Sequence, residues 1–191
     1  LFLACSSIAH PPALRKFRGL FSAQMNANPI DQWLVSRGAD KGTLAAMGTV
    51  TTTAIDMAVQ MGCDPIISIG FDLSFADDGT THANGTMYHG QRHNTKQLVR
   101  VPGNFNDEVL TTTQFQCYIS LIEQYVSAHP NCSFLNATSG GARLQGMRVI
   151  APELLPTLAA SDVRAFESIA SIHAEFHDNI SASIRNELEA L

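Results

Sequence analysis

The sequence predicts an α/β fold with a mostly parallel sheet, followed by a C-terminal helical appendage. Two segments carry the sheet. Val50 to Gly62 is helix-like and leads into the β-forming run Ile66–Phe71, and Thr111 to His129 is helix-like and leads into Cys132–Leu135. Helix then strand, repeated, is the pattern of units whose strands run parallel. Beyond Pro152 the pattern changes: Val163, Phe166, Ile169, Ile172, Phe176, Ile180, Ile184 and Leu188 recur at helical steps, which predicts one long amphipathic helix or two with a kink. The expected division is an α/β domain over 1–150 and a helical segment over 151–191.

In chain order, Leu1–Ser7 reads as a strand, and L-F-L-A-C begins as if already inside one, so the natural start is expected upstream. Pro11-Pro12 opens a short helix over 13–17, proline being well placed in a first turn. Leu20–Met25 is a second strand. Ile30 to Arg37 has helical spacing at Ile30, Trp33 and Leu34, with Gly38 as its stop. The longer helix from Gly48-Thr49 carries Ile55, Met57, Ala58 and Met61, and Gly62 stands where a left-handed cap belongs. Threonines at 49, 51, 52 and 53 crowd its first turn. They suit either an anion cradle at a helix start or a plain N-cap.

Ser74 to Asn106 shows little periodicity, and a loop that long inside a compact domain is usually functional or mobile. Leu98–Val101 predicts a brief strand, and Pro102-Gly103-Asn104 a turn. In Thr111–His129 the residues Phe115, Tyr118, Ile119, Ile122 and Val126 share one face.

With 191 residues, 45% of them hydrophobic and 15% charged, the chain can bury a sizeable core. A net charge of −5 without a Lys/Arg block argues against nucleic acid gripped through its phosphates. No apolar run approaches the roughly 18 residues that span a bilayer. The four cysteines contain no C-x-x-C pair; Cys63 and Cys132 border apolar runs and are expected to be buried free thiols, as a reducing cytoplasm would allow.

Two clusters carry candidate chemistry. The first follows the strand at Ile66: Asp72, the Asp77-Asp78 pair and His82, with His89 and His93 beyond. The histidine spacings match no zinc pattern strongly: only His89 and His93 stand four apart, and no helix is evident there. Magnesium held by Asp72 or Asp77 against a diphosphate suits the residues better, since that ion needs few protein carboxylates. His82 can exchange a proton near neutral pH, as a general base or acid. Asp72 could hold a ribose hydroxyl, a metal or a histidine, or simply form a turn. The second cluster is Asn136 followed by T-S-G-G-A-R. Gly140-Gly141 lets main-chain N–H groups approach an anion, and Arg143 adds a bidentate fork; a plain glycine turn is the alternative. Two such strand ends in one parallel sheet would face one crevice.

Three stretches, G-C-D-P-I-I-S-I-G-F-D-L-S-F-A-D-D-G-T-T-H-A-N-G, V-P-G-N-F-N-D-E-V-L-T-T-T-Q-F and F-L-N-A-T-S-G-G-A-R-L-Q-G, together resemble one family. It is the domain shared by bacterial motility accessory factors, which are flagellin glycosyltransferases, and archaeal 6-hydroxymethylpterin diphosphokinase. The resemblance spans roughly Leu1 to Met147 and places Asp72, His82, Asn104, Asn136, Thr138, Gly140, Gly141 and Arg143 at motif positions. It implies a Rossmann-like domain similar to that of bacterial sialyltransferases. The D-L-S-F and H-A-N-G wording is similar to the motility branch. That branch implies transfer of pseudaminic or legionaminic acid from a CMP donor to Ser or Thr of flagellin. For that transfer the residues themselves offer His82 as base and Asp72 as a ribose, metal or orienting group. The archaeal branch implies ATP, magnesium and diphosphate transfer. A third possibility is a flagellin-binding module without catalysis. One departure stands out: the family's Gly-rich G-P-S-L-type motif after the first strand is not found; either it lies upstream of Leu1, which the abrupt start favours, or this domain has lost it.

Overall fold

The computed structural model describes residues 2–6, 12, 19–25, 28–37, 42–45, 47–82 and 85–158. The helices expected over 13–17 and beyond Val163 lie outside them. The chain divides into two compact units, Met47–Ala159 and Leu1–Ala46 with Ala160–Leu191.

In the unit that opens the chain, β1 (Phe2–Ser6), β2 (Gly19–Met25) and β3 (Thr43–Leu44) form one parallel sheet in that order, with Phe2 opposite Gly19 and Gln24 opposite Thr43. Between β2 and β3 runs α1 (Pro29–Ser36). Its start follows from three neighbours: the Asn28 side chain accepts from the Ile30 N–H at 3.0 Å, Pro29 needs no N–H partner in the first turn, and Asp31 faces the positive end of the helix dipole.

The second unit begins with α2 (Val50–Gln60). Thr49 Oγ1 accepts from Thr52 N–H at 3.1 Å, and Thr52 Oγ1 accepts from Thr49 N–H at 3.3 Å. The crowded threonines therefore close the helix end on itself as a capping box, which is their N-cap use. At the other end Gly62 adopts φ +75°, and Cys63 N–H reaches back to the Ala58 carbonyl at 3.0 Å. That turn puts Cys63 on the surface, so the expectation of a buried thiol there is corrected; Cys132 is half-buried.

The central strand is shorter than its sequence implies. β4 is only Ile66–Ser68. Ile69 is 66% exposed while Phe71 is buried, because the chain leaves the ladder at Gly70, whose φ is +67°. β4 pairs in parallel with β7 (Phe134–Asn136), and β7 with β8 (Arg148–Val149). β7 begins later than the Cys132 start expected and takes Asn136 into the ladder opposite Ser68. The hairpin β5 (Val99–Pro102) and β6 (Glu108–Thr111) is antiparallel, with Val99 opposite Thr111; β6 was not foreseen.

α3 (Thr113–Ala128) is capped by Thr112, whose Oγ1 accepts from Phe115 N–H at 3.1 Å. Its buried stripe, Ile119, Ile122 and Val126, packs with Ile55, Ile66, Phe71, Val101, Phe134 and Leu144 into one core. Burying a side chain such as Ile122 is worth about 1.5–3 kcal/mol. Tyr125 joins the two helices: its hydroxyl donates to Asp56 at 2.7 Å. Burial first, then the Asp56 carboxylate, push the Tyr125 phenol well above its ordinary pKa of 10.0. Among the described residues no helix is long and apolar enough to cross a membrane.

Candidate functional site

β4 and β7 are parallel neighbours, so their carboxyl ends emerge side by side, and hydrogen bonds lace the emerging chains together. Ala137 N–H donates to the Ser68 carbonyl at 2.8 Å, and Phe71 N–H to Thr138 Oγ1 at 3.1 Å. Ala142 N–H then donates to the Asp72 carbonyl at 2.7 Å. Gly141 makes that approach possible: a Cβ there would lie 2.5 Å from the Asp72 oxygen, and its φ of +81° also suits glycine. Asn136 and Thr138 are buried beneath, with Thr138 N–H donating to Asn136 Oδ1 at 3.0 Å.

The hairpin turn completes the assembly. Asn104 donates from its main chain to Gly141 O at 3.0 Å and from its side chain to Gly140 O at 2.6 Å. Arg143 N–H donates to Pro102 O at 2.8 Å. Asp72, Asn104, Asn136, Thr138, Gly140, Gly141 and Arg143 thus come together around one junction.

This junction leaves specific groups unspent. Among the described residues, the main-chain N–H groups of Ser139, Gly140 and Gly141 donate to no protein acceptor. The Arg143 side chain is exposed and makes no ion pair, and the Asp72 carboxylate is exposed without a hydrogen bond. Asn136 Nδ2 and Asn104 Oδ1 are shut away without partners. Successive free N–H groups with a guanidinium beside them suit a phosphate or carboxylate. A buried polar atom without a partner is costly, and in a native protein it calls for a reason.

Leu73, next to Asp72, has φ +47°, a left-handed conformation rarely adopted by leucine. Its carbonyl accepts from Thr111 Oγ1 at 2.7 Å, and both residues are buried. The strain fixes the chain direction at Asp72. Nothing in the local sequence signals it, because the restraining residue lies far along the chain, at the end of β6.

His82 does not join the junction. It is exposed, its Nδ1 pairs with Thr81 Oγ1 at 2.8 Å, and its ring lies 5.0 Å from that of Tyr88. Its loop is fastened to itself: Thr80 bridges Arg92, His93 N–H donates to Gly79 O at 2.9 Å, and Arg92 pairs with Asp78 at 3.1 Å. Hydrogen bonds from Thr80, then the Arg92 charge, hold the Asp78 carboxyl below its ordinary pKa. Asp77 is exposed in the same loop, and His93 packs against Phe75 with ring centroids 4.7 Å apart. Among the described residues no three His, Cys, Asp or Glu side chains gather to hold a metal ion. For magnesium, Asp72 offers one carboxylate, which fits only if phosphate oxygens and water supply the remaining ligands.

The fold these elements define is α/β with parallel sheets. A solved structure, that of a MAf glycosyltransferase from Magnetospirillum magneticum AMB-1, is similar to it with a TM-score of 0.57 and 19% sequence identity. The similarity covers 88% of this chain and 27% of that one, so the chain spans about a quarter of that protein's length. At this identity the likeness is one of fold. No protein-family model matches the chain, and no curated protein matches it.

Proposed function

We propose that the chain is a glycosyltransferase domain of the motility accessory type, Rossmann-like and related in architecture to sialyltransferases. Its substrate would be a CMP-linked nonulosonic acid, pseudaminic or legionaminic, and its acceptor a Ser or Thr hydroxyl of flagellin. The observation that carries the reading is the row of unpartnered N–H groups at Ser139–Gly141 beside the unpaired Arg143. An acidic sugar on a nucleoside monophosphate brings a phosphate and a carboxylate to the site, and this junction offers donors for both. Its fold, shared with a MAf glycosyltransferase, supports the same reading.

In that mechanism the acceptor oxygen attacks the anomeric carbon, the bond to the CMP phosphate breaks, and CMP leaves with the bonding electrons. The N–H groups and Arg143 stabilise charge developing on the leaving phosphate. The acceptor proton passes to a base. His82 is the proposed base, and Asp72, already at the junction, orients the donor.

Calorimetric titration with CMP and with ATP, each with and without magnesium, tests the reading. CMP uptake without metal is the expected result, weakened about tenfold or more in Arg143→Ala by loss of a charge-assisted contact. Uptake of ATP only with magnesium would instead mark a diphosphokinase. Uptake of neither would leave a binding module without catalysis.

A further inference from the structure

Two large apolar side chains stand in solvent beside the junction, Ile69 after β4 and Phe105 in the hairpin turn, the latter 63% exposed. Phe105 is held where it is. The turn closes through Gly103 N–H to Asp107 O at 3.4 Å, and a Cβ on Gly103 would come within 2.7 Å of Asn106 O, so the turn is tight. Its neighbour Asn104 is bonded to both Gly140 and Gly141. The hydrogen bonds that build the anion cradle therefore also fix the backbone carrying this aromatic ring.

An exposed aromatic ring beside cationic and N–H donors is the arrangement by which proteins stack a nucleobase while holding its phosphate. A second observation concerns Asn104. Its Nδ2 must face the Gly140 carbonyl, which fixes the amide orientation and leaves Oδ1 as a buried acceptor without a donor.

We propose that the Asn104–Phe105 tip is the nucleobase end of the site. The base stacks on Phe105, and a shift of the side chains that cover Asn104 Oδ1 lets its exocyclic amino group donate there. The phosphate then reaches the Ser139–Gly141 N–H groups and Arg143. The inference rests on the nucleotide-donor reading and adds a means of selecting the base: cytosine presents an amino donor where uracil presents a carbonyl.

The test is calorimetry on the full 191-residue chain with CMP, UMP and ribose 5-phosphate, comparing the wild type with Phe105→Ala and Phe105→Tyr. Loss of the ring is expected to weaken CMP about tenfold, tyrosine to restore most of the loss, and ribose 5-phosphate to bind the wild type and Phe105→Ala alike. CMP is expected to bind the wild type about tenfold or more tightly than UMP, since the latter leaves the Asn104 acceptor facing another acceptor. Unchanged CMP affinity in Phe105→Ala, or an equal loss for ribose 5-phosphate, overturns the stacking while leaving the nucleotide reading intact. Equal affinity for CMP and UMP overturns the Asn104 contact. A wild type that takes up no CMP overturns the nucleotide reading and this inference with it.

Discussion

Gly140 and Gly141 are adjacent and chemically identical, yet the structure asks different things of them. Gly141 is bound on two counts, a left-handed φ and a Cβ position already filled by the Asp72 backbone; Gly140 has nothing within 4 Å of its Cβ position. Gly141→Ala is therefore expected to destabilise by about 3 kcal/mol or more, through strain and displacement of the Asp72 chain. Gly140→Ala should stay within about 0.5 kcal/mol of the wild type. Urea unfolding of the two variants side by side checks the contrast. The motif T-S-G-G-A-R pointed to this turn, but no sequence pattern says which glycine the partner strand needs. The same limit applies to Leu73, whose unusual φ depends on Thr111, and to His82, whose place depends on how its loop ties itself down.

At the scale of elements, the hairpin β5–β6 determines what the two strand exits can do, because it supplies Asn104 and, from β6, the hydroxyl of Thr111. Thr111→Val keeps the shape and removes the donor to Leu73 O. It is expected to cost about 1–3 kcal/mol, the penalty of a buried acceptor left unpaired. Thermal melting should show the loss, and weaker CMP uptake should accompany it if the Asp72 chain direction matters to binding. The helices were legible because their apolar stripes and caps are local. Phe115 to Val126 on one face, Thr49 at a start and Gly62 at an end each report their own surroundings. The short strands were less so. β4 stops at Ser68 although Ile69 continues its apolar run, and E-V-L-T at Glu108–Thr111 is too brief to stand out before the helix that follows. Their limits are set by partners distant in sequence, Asn136 for the one and Val99 for the other.

For the unit Met47–Ala159 as a whole, the Tyr125 hydroxyl couples stability to alkaline pH. A phenol whose folded pKa lies above its unfolded value of 10.0 keeps its proton in the folded state after the unfolded chain has lost it. Its contribution is thus fully present below pH 10 and is lost as pH rises from there toward the folded value. Tyr125→Phe, which removes the titrating group and its bond to Asp56, should lower stability at neutral pH and flatten the decline above pH 10. Denaturation midpoints measured between about pH 7 and about pH 11 would display both effects. The parallel pairing at this scale was readable from two helix-then-strand repeats, and that pairing brings Asp72 and the Asn136–Arg143 turn together.

The loop that runs from Ala76 to His93 is buttoned to itself by Thr80, Asp78 and Arg92, and its base closes through Gly79 and His93. Strain introduced between Thr80 and Arg92 is therefore absorbed by the loop's own ties before it reaches the hydrogen bonds that join the two strand exits.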